Sequence, residues 1–269
     1  MPVPEHIRRF WKALDERLGH VEPTWWGAVV TDPRFPAIWD INYARVDAAA
    51  PDLTLREVAG ALLPALADVG TDTFHVVSFH PEETADLLVK LSTLGHTLSW
   101  DVVMDLTSQA TVRSADVCIQ RLDAGDELWS AVEGSLALFG NDPSVAEQLR
   151  GIEEVTFAAG HKRWLGVRDD QGEIVALAAL VLLEGVGYLD NVATFPQVRG
   201  HGLASAIVAR AIELAREAGA DHVSLFADPG DAPVVRMYER LGFREVGRLA
   251  STRGPVADVF PKRGNVNEG

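Results

Sequence analysis

Cysteine is almost absent: the 269 residues contain one, Cys118. No internal disulfide can form, and no zinc cluster built on cysteines exists. The expected setting is a reducing cytosol. Positive charge is also short, with 24 Lys and Arg against 39 Asp and Glu and a formal net charge of −15. Neutralising a phosphate backbone takes clustered Lys and Arg, so the composition argues against a general nucleic-acid binder. Long apolar runs are missing as well. The longest, Ile174 to Leu183, is too short to span a bilayer. The stretch from Met1 to Phe10 has no apolar signal core. These absences predict a cytoplasmic protein with no membrane partner and no nucleic-acid partner. No metal is expected either, because Asp169-Asp170 reads as part of a hairpin turn.

The residues that remain are ordinary for a globular protein, 47% hydrophobic and 23% charged. Ile7, Phe10, Trp11, Leu14 and Leu18 recur at helical spacing up to Gly19. Strands are expected over Trp25 to Thr31, Ile38 to Val46, Phe74 to Phe79 and Leu98 to Leu106. Helices are expected from Thr54 to about Val69 and from Pro81 to Leu94. Thr54 with Glu57 has the capping-box spacing, and Pro64 is expected to kink its helix. The patternless stretch Thr107 to Ala115 is placed as a domain boundary. Beyond it come a strand over Val117 to Leu122 with Cys118 buried, and helices over Asp126 to Phe139 and Ser144 to Ala159, split by Asn141-Asp142-Pro143. Strands follow at Arg163 to Arg168, Ile174 to Leu183 and Tyr188 to Thr194. The chain then reads helix to Gly219, strand Val223 to Phe226, helix Ala232 to Leu241 and strand Glu245 to Ala250. Trp25, Trp26 and Trp39 are expected in the core of the first half or at its interface.

The two halves share a pattern. His75-Val76 and Phe79 match His222-Val223 and Phe226 at an offset of 147, and Leu94-Gly95 matches Leu241-Gly242 at the same offset. The order helix, strand, helix, Leu-Gly, strand is common to both, which predicts a duplicated fold. The first half enters its helix through Ala48-Ala49-Ala50-Pro51-Asp52, with no glycines. The second enters through Arg199-Gly200-His201-Gly202-Leu203-Ala204. Glycine tolerates positive φ and close backbone approach, and a helix N-terminus presents unsatisfied N–H groups to an anion. Phosphate binding is therefore expected in the second half.

Three loop chemistries compete for that stretch. A P-loop needs Lys-Ser/Thr after its last glycine, and Leu203-Ala204 stand there instead. A dinucleotide fingerprint needs a third glycine, where Ser205 stands, although Asp221 lies near the distance of its acid. The third fits. The run from Val192 to Ala204 resembles the acyl-CoA loop of the GNAT acetyltransferases, Arg/Gln-x-x-Gly-x-Gly/Ala, with Arg199, Gly202 and Ala204 in register. Gln197, Gly200 and Gly202 satisfy the pattern in a second register. Met237-Tyr238-Glu239-Arg240-Leu241-Gly242-Phe243 resembles that family's second signature, Leu-Tyr-x-x-x-Gly-Phe.

The resemblance covers about Val117 to Ala250 and, through the repeat, implies a tandem protein. The fold it implies is α/β, two GNAT-like domains, each a mixed, mostly antiparallel sheet flanked by helices. Residues 1–110 would be a degenerate copy without a pyrophosphate loop, and 115–260 the acetyl-CoA-binding domain. The resemblance also implies roles. Backbone groups of Val192, Ala193 and Thr194 would pair with the pantetheine arm. Amides of Arg199, Gly200, His201, Gly202, Leu203 and Ala204 would hold the pyrophosphate. Tyr238 would protonate the departing thiolate. Asp231 stands where the family often has Asn, so that role is not carried over. For the base, the resemblance implies an acid on the strand before the loop or a water chain; Asp190 and Glu184 are the candidates, and Asp190 is the closer to the acetyl site if Val192 begins the pantetheine contact. The activity implied is acetyl transfer from acetyl-CoA to a small-molecule or peptide amine by direct attack. Two alternatives stand beside it: a non-catalytic acyl-CoA sensor, and a tandem enzyme of the mycothiol-synthase kind.

Overall fold

The structure, a computed structural model, describes residues 1–108, 117–138 and 145–259. Most of the expected boundary stretch and the Asn141-Asp142-Pro143 turn lie outside the described residues. The chain forms two compact units. One comprises Val3–Leu18 and Asp101–Arg248, the other Gly19–Trp100 and Leu249 onward.

The larger unit holds α1 (Glu5–Leu18), the part of β5 (Thr97–Leu106) from Asp101 on, β6 (Gln120–Leu122), α4 (Asp126–Leu138) and α5 (Ala146–Ala158). It continues with β7 (Lys162–Arg168), β8 (Ile174–Leu183), β9 (Val186–Thr194), α6 (Leu203–Glu217), β10 (His222–Ala227), α7 (Ala232–Arg240) and the start of β11. Its strand order is β11-β5-β10-β9-β8-β7-β6. β9 and β10 pair in parallel, and β5–β10, β6–β7, β7–β8 and β8–β9 are antiparallel. β8 shows why its sequence is apolar throughout. Side chains alternate across a sheet, and both faces of this strand are covered. Ala176, Ala178 and Leu180 join the core under α6, while Ile174, Leu177 and Ala179 join Trp129 and Val132 of α4.

The smaller unit holds β1 (His20–Thr24), β2 (Gly27–Thr31), β3 (Tyr43–Val46), α2 (Leu55–Val69), β4 (Thr73–Ser78) and α3 (Ala85–Thr93). Its strand order is β1-β2-β3-β4 and then the end of β11. β3 and β4 pair in parallel across α2, and β1–β2, β2–β3 and β4–β11 are antiparallel. Thr54 accepts from Glu57 N while the Glu57 carboxylate takes the Thr54 N–H, and Gly70 ends α2 at φ 82°. Pro64 lies inside α2, which runs on as one helix. Trp26 is buried in this core and Trp25 is exposed.

Mixed sheets with helices on their faces match the expected fold class. The expected limits 1–110 and 115–260 differ from this division in three places. α1 belongs with the larger unit because its apolar face is buried there: Phe10 packs on Tyr188, and Trp11 on Phe226. Residues 102–105 of β5 pair with β10, from Ser224↔Asp105 to Ala227↔Val102. Residues 250–255 of β11 pair with β4, from Ala250↔Ser78 to Pro255↔Thr73. Each unit thus completes its sheet with a strand from the other half of the sequence. β11 is also far longer than expected, Phe243–Pro255. Of the Val117 to Leu122 stretch only Gln120–Leu122 is strand, and Cys118 is exposed rather than buried. The offset of 147 recurs in the elements: α3, Ala85–Thr93, shifted by 147 gives α7, Ala232–Arg240.

Candidate functional site

Three features of the larger unit meet beyond the paired part of β9. The first is an open strand edge. The β9–β10 ladder runs from Val186↔His222 to Leu189↔Leu225 and stops. Residues 190–194 stay paired to β8, with Ala179↔Asp190 and Leu177↔Ala193, so two β9 residues, Asn191 and Val192, oppose Ala178. This is a bulge, and Asn191 takes the strained φ of 49°. Past it, the edge of β9 that faced β10 has no strand partner among the described residues. Val192, Ala193 and Thr194 all lie on that stretch.

The second feature is the loop. Phe195 leads through a 3-10 turn, Pro196–Val198, to Arg199. Gly200 and Gly202 sit at φ 83° and 77°, the left-handed region that disfavours other residues. Gly202 is the N-cap of α6 and supplies no side-chain cap. Among the described residues, the amides from Gly200 to Ser205 make no hydrogen bond, and Ala206 N, bonded to Gly202 O, begins the helical ladder. Gly200, His201 and Gly202 are exposed, Leu203 is buried and Ala204 half-buried. The Arg199 side chain folds back onto Thr194 O at 3.1 Å, and His201 Nδ1 approaches Val198 O at 3.1 Å. An array of uncommitted amides at the positive end of a 15-residue helix suits an anion.

The third feature is titratable. Tyr238 on α7 is buried against Phe243, and its hydroxyl has no hydrogen-bond partner among the described residues. Burial first, then the negative charges of Asp190 and Asp231, push its pKa well above the usual tyrosine value. The phenol keeps its proton at neutral pH. Asp190 Oδ1 accepts from Asn191 N at 2.9 Å, and its Oδ2 lies 2.9 Å from Lys162 Nζ. Lys162 also reaches Glu153 Oε2 at 2.5 Å. Burial works against the ammonium, but Asp190 and Glu153 outweigh it and hold its pKa above the ordinary value. Burial raises the Glu153 pKa against the pull of Lys162. Asn191 Nδ2 donates to Glu153 Oε1 at 3.3 Å. Of the three charged groups only Asp190 is reachable from solvent, its side chain 37% exposed against 11% for Glu153 and 4% for Lys162.

The expected site residues therefore fall together on β9, its following loop and α7. Glu184 does not. It occupies a two-residue hairpin turn at φ 51°, between the paired Leu183 and Val186. Six residues of chain, about 20 Å of extended strand, separate it from Asp190. Asp231 caps α7, accepting from Val234 N at 3.2 Å. The strand expected at Arg163 to Arg168 leaves Lys162 just outside it, and Glu153 carries no signal in the sequence. No local pattern joins residues 153, 162 and 190; only a charged residue at a strand position, Lys162, could have drawn notice.

Comparison with known proteins gives the same region. Residues 134–243 match the acetyltransferase (GNAT) family. A mycothiol acetyltransferase from Brachybacterium faecium is 39% identical over 62 residues, 23% of this chain and 19% of that protein. The N-alpha-acetyltransferase MAK3 of Arabidopsis thaliana is 36% identical over 63 residues, 23% of this chain and 33% of that protein. The chain thus spans a third or less of these relatives' lengths. A conserved protein of unknown function from Staphylococcus epidermidis shares the fold over 88% of this chain and 94% of its own, with TM-score 0.70 and 15% identity. Among the described residues no helix is long and apolar enough to cross a membrane.

Proposed function

We propose that the chain, whose residues 134–243 match the acetyltransferase (GNAT) family, transfers the acetyl group of acetyl-CoA to an amine. The observation that carries this reading is the uncapped α6 N-terminus standing beside the unpartnered edge of β9. A diphosphate satisfies the open amides from Gly200 to Ala204, the expected Arg199 amide being taken by Pro196 O, and a pantetheine arm pairs with Val192 to Thr194 as an added strand would. No metal is needed for these steps.

Chemistry follows from what flanks that channel. The amine nitrogen attacks the thioester carbonyl carbon, and the C–S bond breaks. Tyr238, which holds its proton, gives it to the departing thiolate. The amine must lose a proton, and Asp190 is the exposed carboxylate placed to take it, directly or through water. Lys162 and Glu153 fix Asp190 from the buried side. The smaller unit, with its own parallel β3–β4 pair around α2, is the degenerate copy of the same fold.

The test is acceptor-dependent thiol release from acetyl-CoA, run over small-molecule amines, amino acids and peptide N-termini. Tyr238→Phe is expected to lower turnover about 100-fold or more, with acetyl-CoA affinity unchanged. A chain that binds acetyl-CoA yet releases no thiol with any acceptor is a sensor, and the transferase reading fails.

A further inference from the structure

A second cluster of chemistry-bearing side chains lies in the larger unit, apart from the acyl channel. His6 belongs to the first turn of α1, Asp105 to the end of β5, and His222 opens β10. That is the end of β10 still paired to β9, opposite to where the two strands part. One ligand atom from each of the three side chains lies within 4.8 Å of the others. His6 Nε2 stands 3.0 Å from Asp105 Oδ2, and each side chain is only 13% exposed. Despite that distance the buried Nε2 makes no hydrogen bond among the described residues. Two ligands of a tetrahedral ion behave this way. With bonds of about 2.0 Å they sit roughly 3.3 Å apart and point at the ion instead of each other.

The carboxylate is also held from behind. Ser224 Oγ donates to Asp105 Oδ1 at 2.6 Å, and the two residues face each other in the β5–β10 register. Such outer hydrogen bonds orient carboxylates that ligate metals. Two imidazoles and one carboxylate form a donor set suited to zinc and its neighbours.

We propose that His6, Asp105 and His222 form a binding site for a divalent cation of the zinc class. Water completes the coordination. The two imidazole rings are stacked, 3.9 Å between centroids and 8° between planes. Parallel rings cannot both direct in-plane lone pairs at one ion. Capture therefore requires the exposed His222 ring to leave the stack, while His6 and Asp105 keep their places. The bound ion ties α1 to β5 and β10. It has a structural role and takes no part in acetyl transfer. The sequence offered no metal motif because the ligands lie far apart along the chain.

The full-length chain, stripped by a chelator, is titrated with Zn²⁺ alone in a calorimeter, and its metal content is measured after dialysis. One zinc ion per chain is expected, with a rise in melting temperature. His222→Ala and Asp105→Asn should each weaken binding more than tenfold, and Ser224→Ala by about tenfold. His222 is exposed, so its loss spares the fold, which melting without metal verifies. Co²⁺ should give the visible absorption of a tetrahedral site in the wild type and lose it in His222→Ala. Absence of zinc binding by the wild type overturns the site. Equal binding by wild type and His222→Ala also overturns it, since the ion then lies elsewhere.

Discussion

The entrances to α2 and α6 are counterparts in sequence and opposites in chemistry. α2 answers its own N-terminus: Glu57 Oε2 lies 3.0 Å from Thr54 N and 2.6 Å from Thr54 Oγ1. Those hydrogen bonds, first from the Thr54 side chain and then from its backbone, hold the Glu57 carboxyl below its usual pKa. α6 has a glycine cap and leaves its amides open. One helix end carries an internal anion where the other leaves its amides open. The same contrast extends along the repeat. The counterpart of Tyr238, 147 residues earlier, is Leu91, fully buried and without a hydroxyl. On the proposed reading, a helix end filled by its own carboxylate has no open amides left to offer a phosphate.

Substitutions that blur or deepen this difference test it. The largest effect is expected at Lys162, the buried cation that the second half sets between two acids. Lys162→Met leaves Glu153 and Asp190 facing each other, 11% and 37% exposed. Uncompensated buried charge costs about 3–5 kcal/mol, read as a lowered denaturation midpoint; an unchanged midpoint would show that the triad is not the unit described. Next, Ser205→Glu gives α6 the kind of internal carboxylate that α2 has. Acetyl-CoA affinity should fall about 100-fold, because like charges would meet at the diphosphate; calorimetry that finds undiminished binding places the cofactor elsewhere. A smaller effect is expected from the reverse change. Thr54→Ala should destabilise the smaller unit by about 1 kcal/mol and leave acetyl-CoA binding untouched.

The smallest effect concerns pH. Glu57 has a folded-state pKa below its unfolded value. Its contribution is present above the unfolded pKa and is lost as pH falls through the folded one. Stability curves of wild type and Glu57→Gln should therefore differ near neutrality and converge in acid. Parallel curves across that range would remove Glu57 from the account.

What could be read from sequence was local. The capping box needs only Thr54 and Glu57, three residues apart, and the open helix end only Gly200 and Gly202. Tyr238 was legible because Gly242 and Phe243 follow it at fixed spacing. The fold class was legible in the alternation of helix and strand. Asp190, Lys162 and Glu153 meet across β9, β7 and α5, and nothing in their spacing says so. The φ of Asn191 follows from a bulge that depends on pairing with β8. β1 was missed because His20–Thr24 contains Glu22 and Pro23 and lies mostly exposed, lacking the alternation that marks a half-buried strand. Cys118 was misplaced because an apolar run was taken for a longer strand than Gln120–Leu122. α1 shows the same limit in another form: its apolar face was plain, and the surface it covers was not.

The exchange of β5 and β11 sets a timetable for synthesis. β4 ends at Ser78, and the β11 residues that pair with it end at Pro255, 177 residues later. A ribosome adding about 5–20 residues per second needs roughly 10–35 s to cover that distance. Throughout that interval one edge of β4 has hydrogen-bonding groups but no strand to meet them, the condition that invites pairing with other chains. The first half of this protein has to wait for the last strand of the second before its own sheet is whole.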